Sequence, residues 1–206
     1  IIIPGTKNVF WDLSWLKKTG LEGGILSIIN NKPLTMLIGI CGGYQMLGAK
    51  IRDLHHLESK RYEISGMGLL PIRTILKKDK VLSQVKAKEI GSNLKVLGYE
   101  IHHGCTENLN SHNPVFRIVE RQGRSVNEFD GAISEDGRIW GTYIHGIFDE
   151  NDYRRGFLNR LRAKKGWRPI TNLSFDSLDT EIDKLAQLLR NNIDLELMQK
   201  ILFRRS

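Results

Sequence analysis

The stretch Leu37-Ile-Gly-Ile-Cys-Gly-Gly-Tyr-Gln-Met-Leu-Gly48 constrains the fold more than any other part of this chain. An apolar run leads into Cys41, and glycines stand two residues to either side, at positions 39 and 43. That is the spacing of a nucleophile elbow, with sulfur in place of a serine hydroxyl. A strand that reverses sharply into a helix leaves no room for side chains at those flanking positions. The turn exposes its nucleophile at the carboxyl end of the sheet, where open α/β folds place ligands. The helix that follows would aim backbone N–H groups and its positive end at the sulfur, favouring thiolate.

The patterning around the elbow fits the same architecture. Ile1 to Ile3 reads as a buried strand ending at Pro4-Gly5, followed by a helix from about Val9 to Lys18 capped by Asn8. A second helix is predicted from Leu21 to Asn30, and Pro33 breaks the chain before a strand from Leu34 to Ile40. This alternation predicts a parallel sheet with helices on its faces. Leu69 to Leu76, Lys95 to His102, Val115 to Val119 and Gly131 to Ile133 read as short strands on a more antiparallel flank of that sheet. Arg138 to His145 returns as a strand, closed by Gly146. A helix from about Asn151 then carries Tyr153, Phe157, Leu158 and Leu161 on one stripe. A polar linker, Thr171 to Ser174, leads to amphipathic helices marked by Ile182, Leu185 and Leu189, then by Leu195, Met198 and Leu202. The predicted fold class is α/β: an open, mostly parallel sheet with helices on both faces and an antiparallel flank. Residues 1–168 would form the domain that carries chemistry, and 169–206 a helical extension.

Composition excludes several functions. With 206 residues, 40% hydrophobic and 26% charged, the chain has the make-up of a globular domain able to bury a core. No apolar run approaches a membrane span and no leader-like segment opens the chain. The net charge is +8, in short groups: Lys77, Lys78 and Lys80; Arg154 and Arg155; Arg160, Arg162, Lys164 and Lys165; Arg204 and Arg205. They lack the interleaved aromatics that stack bases and read as solvated surface, with no nucleic-acid partner. Two cysteines, Cys41 and Cys105, need no disulfide framework and suit a reducing cytoplasm; Cys105 reads as a free core or loop thiol. No His/Cys/Asp group has metal-ligand spacing. The chain begins inside an apparent strand without methionine, which suggests a piece of a longer protein whose upstream part is not included.

Three strand ends stand in an order that can converge: Pro4-Gly5, Cys41-Gly42 and His145. A cysteine nucleophile needs a base, and distant sequence positions can supply one. His145, like Cys41, sits at an apolar strand terminus followed by glycine. His55-His56 reads as surface, and His102-His103 as either structural or facing a partner or acceptor.

These residues resemble a known family. Gly39-Ile-Cys-Gly-Gly-Tyr-Gln45 is similar to the cysteine elbow of class I, or triad-type, glutamine amidotransferases. Ile3-Pro-Gly-Thr-Lys-Asn8, Gly66-Met-Gly-Leu-Leu-Pro71, Gly98-Tyr-Glu-Ile-His102 and Trp140-Gly-Thr-Tyr-Ile-His-Gly-Ile-Phe-Asp149 resemble the cobyric acid synthase branch in particular. The resemblance implies that Cys41 attacks the amide of glutamine while His145 moves the protons. It also implies that the N–H groups of Gly5 and Gly42 form an oxyanion hole and that Gln45 binds the glutamine. Most triad enzymes place a glutamate two residues after the histidine; here Ile147 stands there, as that branch also lacks the glutamate. The orienter of His145 is left open among Asp149, Glu150, Glu100 and a backbone carbonyl.

No phosphate-loop motif occurs in the 206 residues. The resemblance therefore implies no cofactor in this domain, with ATP and magnesium on an upstream synthetase domain that amidates a corrinoid acceptor, adenosylcobyrinic acid a,c-diamide. Other amidotransferases of the branch stay open: the cobyrinic acid a,c-diamide synthase or a cell-wall amidating homologue. A noncatalytic docking domain and a Cys/His peptidase or thiol hydrolase are the rival classes; Gln45 and the Pro4-Gly5 loop speak against the last.

Overall fold

The computed structural model describes residues 1–109, 113–171 and 178–203. In chain order the elements are β1 (Ile2–Ile3), α1 (Val9–Lys18), α2 (Leu21–Asn31), β2 (Leu37–Ile40), α3 (Gly42–Leu47), β3 (Lys50–Arg52), β4 (Glu63–Ser65), β5 (Ile72–Glu89) and β6 (Lys95–Asn108). There follow β7 (Phe116–Arg121), β8 (Arg124–Asp130), β9 (Ala132–Ile133), β10 (Ile139–Thr142), β11 (Ile144–His145), α4 (Asn151–Lys164), α5 (Leu178–Asn192) and α6 (Leu195–Leu202). The chain divides into two compact units, Ile1–Pro169 and Ile170–Ser206.

The first unit is built on a sheet of order β1-β2-β10-β9. β2 pairs in parallel with both β1 and β10, and β9 adds an antiparallel edge. Side-chain alternation sends the two faces of this sheet to different cores. Leu37 and Ile139 pack with Phe10, Leu13, Ile29 and Tyr44 on the side of α1, α2 and α3. Ile38 and Trp140 pack with Phe116, Tyr153 and Phe157 on the side of α4. The predicted α/β class, with a mostly parallel sheet covered by helices on both faces, is what this arrangement realises.

Helix α1 keeps its predicted bounds because Asn8 caps it, its side chain accepting from the Trp11 N–H at 2.8 Å. Several expectations need correction. β1 is an edge strand with only Ile3 buried, so Ile1 and Ile2 keep much of their exposure. β2 starts at Leu37, since Pro33 and Leu34 form a turn closed by Thr35 N–H to Lys32 O at 2.9 Å. Most antiparallel strands form a sheet of their own, order β11-β6-β5-β3-β4, with β7 on β5 and β8 on β7; only β9 flanks the first sheet. The long β5–β6 hairpin dominates this second sheet, and a register irregularity between Leu76 and Val81 absorbs Lys77 to Lys80. On α4 the buried stripe runs Tyr153, Phe157 and Leu161, four residues apart, while Leu158 is exposed.

The strand predicted from Arg138 to His145 is two strands. β10 belongs to the first sheet, the chain leaves it at Tyr143, and β11 pairs with β6 in the second. In the second unit α5 and α6 form, and Ile182, Leu185, Leu189, Leu195, Met198 and Leu202 are exposed. Most of the predicted linker, and Arg204 and Arg205, lie outside the described residues. Among the described residues no helix is long and apolar enough to cross a membrane.

Candidate active site

Cys41 sits at the β2–α3 turn with φ 52° and ψ −109°, the sparsely populated backbone that marks an elbow. Its own N–H is tied to Thr142 O at 2.8 Å, which anchors the turn to β10. The flanking glycines are obligatory by contact. A Cβ on Gly39 would lie 2.6 Å from Tyr44 N, and one on Gly43 would lie 2.7 Å from the Ile3 carbonyl carbon. Neither neighbour can move, because both are backbone.

Gly5, Cys41 and His145 are brought together. A Cβ on Gly5 would stand 3.0 Å from His145 Cε1 and 3.5 Å from Cys41 Cβ. All three line one cleft of about 560 Å³, with Gly42 and Gln45. Thr6, Lys7, Glu58, Lys80, His102 and His103 complete much of its wall. The five residues singled out by sequence therefore share one site.

The sulfur's state differs from expectation. Burial pushes the Cys41 thiol up to about 11, with the Glu58 and Asp130 charges adding to the effect and the Gly42 N–H and Lys80 only partly opposing it. The thiol donates to Ile101 O at 3.5 Å. Six-residue α3 does not offset desolvation, so the free site holds a thiol, not a thiolate. Burial also lowers His145 below its ordinary value, leaving a neutral imidazole whose Nε2 is buried without a partner. A neutral thiol and an imidazole nitrogen without a partner thus line the same cleft. Cys41 alkylation by iodoacetamide should accelerate about tenfold per pH unit from 7 to 10, tracking thiolate fraction. A plateau near pH 8.5, read by peptide mapping, would contradict the buried thiol.

Among the described residues no carboxylate hydrogen-bonds His145. Glu100 is committed to Arg121 and Ser83, and neither Asp149 nor Glu150 hydrogen-bonds the ring. Instead Tyr99 stacks on it, centroids 5.0 Å apart and planes 8° from parallel. β11 pairs His145 with Tyr99 across the ladder, so register supplies the platform. Sequence reading missed this because it requires β6 and β11 to be neighbours.

Gln45 is buried, its Nε2 donating to the Tyr143 hydroxyl at 3.1 Å. That hydroxyl lies 2.6 Å from Thr106 Oγ1, which lies 2.8 Å from Thr74 Oγ1. His102 stacks on Tyr143 at 3.8 Å and bonds Gly104 O through Nδ1 at 2.7 Å, and burial lowers it to about 4. His102 is thus a packed neutral wall of the cleft, while His55 and His56 are exposed. Cys105 is an exposed thiol on β6, neither core nor loop.

Asp130 is a further residue that sequence reading missed. Buried, it accepts from the Thr142 hydroxyl and from Tyr143 N–H at 3.2 Å. The Thr142 oxygen in turn accepts from Ile144 N–H at 3.0 Å. This group braces the point where the chain changes sheets between Cys41's neighbour and His145. Burial raises its carboxyl to about 6 against those hydrogen bonds. Asp130→Ala would orphan a hydroxyl and an N–H in the core and should cost ~2–4 kcal/mol, measurable by urea unfolding. A change below about 0.5 kcal/mol would show that the brace is dispensable.

Residues 1–153 match the CobB/CobQ-like glutamine amidotransferase domain family. The chain is 41% identical to cobyric acid synthase of Clostridium botulinum (strain Okra / Type B1) and 44% identical to that of Alkaliphilus metalliredigens (strain QYMF). Each similarity covers 98% of this chain, which spans 41% and 42% of the two relatives' lengths. A crystal structure of a glutamine amidotransferase superposes with a TM-score of 0.51 at 14% identity, covering 79% of this chain and 78% of that one, a likeness of fold. The elbow, the cleft and these similarities agree: the chain belongs to the CobB/CobQ-like glutamine amidotransferase domain family.

Proposed function

We propose that this domain hydrolyses the side-chain amide of glutamine and supplies the ammonia to a synthetase domain of the same enzyme. The observation that carries the reading is the convergence of Gly5, Cys41 and His145 on one cleft. Cys41 would attack the amide carbon as His145 Nε2 takes the thiol proton. The pair starts neutral, so the charge-separated state forms only with substrate in place. His145 would then pass that proton to the departing ammonia, leaving a glutamyl thioester. Water activated by the same imidazole would release glutamate and restore the thiol. Gly5 and Gly42 N–H groups would receive the oxyanion, each donor contributing ~3 kcal/mol in the transition state. Gln45, held by Tyr143, would present its remaining amide valences to the substrate.

The acceptor reading rests on the relatives named cobyric acid synthase. In it, ATP-dependent amidation of peripheral carboxylates of adenosylcobyrinic acid a,c-diamide takes place on an upstream domain that binds ATP and magnesium. The enzyme would act in the cytoplasm. The family description names no acceptor, so the acceptor amidated by the full-length protein tests this part of the reading.

6-Diazo-5-oxonorleucine, a glutamine-shaped electrophile, should label Cys41 and spare Cys105, although Cys105 is the exposed thiol. Selectivity would come from the site and its base, since the buried sulfur is no better ionised at rest. Peptide mapping that found Cys105 labelled as fast as Cys41 would sink the reading.

A further inference from the structure

The cleft carries charges that the hydrolytic steps do not use. Glu58 is the one carboxylate in its wall, and Lys7 and Lys80 are its two ammonium groups. Among the described residues none of the three makes an ion pair, although Arg121, Arg138 and Arg160 do elsewhere. Glu58 is no loose surface group. Its Oε2 accepts from Val9 N–H at 2.6 Å and more weakly from Phe10 N–H at 3.4 Å, while its backbone O accepts from Asn8 Nδ2 at 2.9 Å. The loop that delivers it is fixed from beneath by the wholly buried Asp53. The Asp53 carboxylate accepts from the N–H groups of Leu57 and Glu58 at 2.8 Å and of Ser59 at 3.1 Å. Among the described residues no hydrogen bond reaches Glu58 Oε1, and burial raises this carboxyl above its ordinary value. A half-buried carboxylate with one oxygen not hydrogen-bonded by the described residues is placed to accept a cation in the cleft. Glu58 and Lys80 line the same cleft as Cys41 and both act electrostatically on its sulfur.

We propose that Glu58 receives the α-ammonium of the amino-acid substrate, and that Lys7 and Lys80 receive its α-carboxylate. The inference rests on the glutaminase reading and adds the specificity-determining residues to it. Zwitterion recognition explains why one negative and two positive groups stand unpaired around an otherwise enclosed thiol. It also gives the site a way to reject amides that lack the amino-acid head, because such ligands would cover the half-buried Glu58 carboxylate without supplying its counter-ion. Glu58 positions substrate and takes no proton in the reaction.

The test compares two diazoketones on the full-length protein, with labelling of Cys41 followed by peptide mass. One is 6-diazo-5-oxonorleucine; the other is 6-diazo-5-oxohexanoate, the same electrophile without its ammonium. Wild type should prefer the first, and Glu58→Gln, which keeps an oxygen for Val9 N–H, should reduce its labelling rate about tenfold or more. The second reagent should label both proteins equally. Equal rates with the norleucine reagent in wild type and Glu58→Gln would overturn the proposal. So would an equal loss with both reagents, which would make Glu58 a brace for α1. If neither diazoketone labels wild type while iodoacetamide alkylates Cys41, the glutaminase reading itself fails. Should Glu58→Gln not fold, Glu58→Asp supplies the readout: the retracted carboxylate keeps the preference for the ammonium reagent but weakens it. An unweakened preference there would exclude direct contact.

Discussion

Replacing Cys41 with alanine is expected to lower glutamine-dependent amidation by the full-length protein by about 10⁴-fold or more, as loss of a nucleophile does. Amidation supported by free ammonia should survive. The asymmetry follows from the division of labour proposed above: the sulfur makes ammonia, and carboxylate activation takes place elsewhere. Alanine adds neither bulk nor charge to the elbow. The strained φ of 52° at this position is unchanged, and alanine occupies it as awkwardly as cysteine does. Ammonia must be supplied at high concentration because delivery from the adjoining site is lost. Comparison of the two nitrogen sources on one preparation makes the measurement. If both activities disappear while circular dichroism and melting are preserved, Cys41 acts in the synthetase step and the assignment is wrong.

The second large effect concerns folding. Gly39→Ala would drive a methyl group to 2.6 Å from Tyr44 N and 2.7 Å from Gly43 C and O. Overpacking against backbone at the junction of β2 and α3 should cost ~3 kcal/mol or more. For a unit of this size that corresponds to a fall in Tm of roughly 6–12 °C. Gly23→Ala is the control. It lies inside α2 with nothing within 4 Å of the added methyl, so a gain of about 0.5–1 kcal/mol is expected from helix propensity. Calorimetry on the two variants gives opposite signs if the elbow is as tight as described. Equal shifts would mean that the glycine spacing reflects something other than contact.

What could be read in advance was local. Asn8 announces α1 because capping needs only a side chain three residues before the N–H it accepts. Glycine at 39 announces the elbow because its clash with Tyr44 N lies five residues away, whereas the clash at 43 is with the distant backbone of Ile3. The convergence of Pro4-Gly5, Cys41-Gly42 and His145 was legible because each stands at or beside a strand end, whereas Gln45 was picked out by the family resemblance alone. The unread parts depend on pairing between distant segments. The change of sheet at Tyr143 leaves no mark in the strand-like run from Ile139 to Ile144. Asp130 reads as a turn residue before Gly131 until Thr142 is beside it. Tyr99 becomes the platform for His145 only once β11 lies on β6. β3 and β4 are three residues each, too short to show a period. Lys77 to Lys80 look like a solvated loop, and an irregular stretch of ladder hides inside that polarity.

The crossing of the chain between sheets makes one residue a fulcrum. Cys41 rides β2 and His145 rides β11, so nucleophile and base belong to different sheets joined covalently through Tyr143. The gap between sulfur and imidazole is therefore an angle seen from Tyr143 as well as a distance. Tyr143 is clamped by the Gln45 amide, the Thr106 hydroxyl and the stacked His102 ring. A strand slip of a single residue at β11 would turn the imidazole to the opposite face of the hairpin. The long β5–β6 arm thus works as the lever whose seating decides whether base and thiol meet, and Phe or Leu at position 143 would loosen its hinge without touching either reacting group.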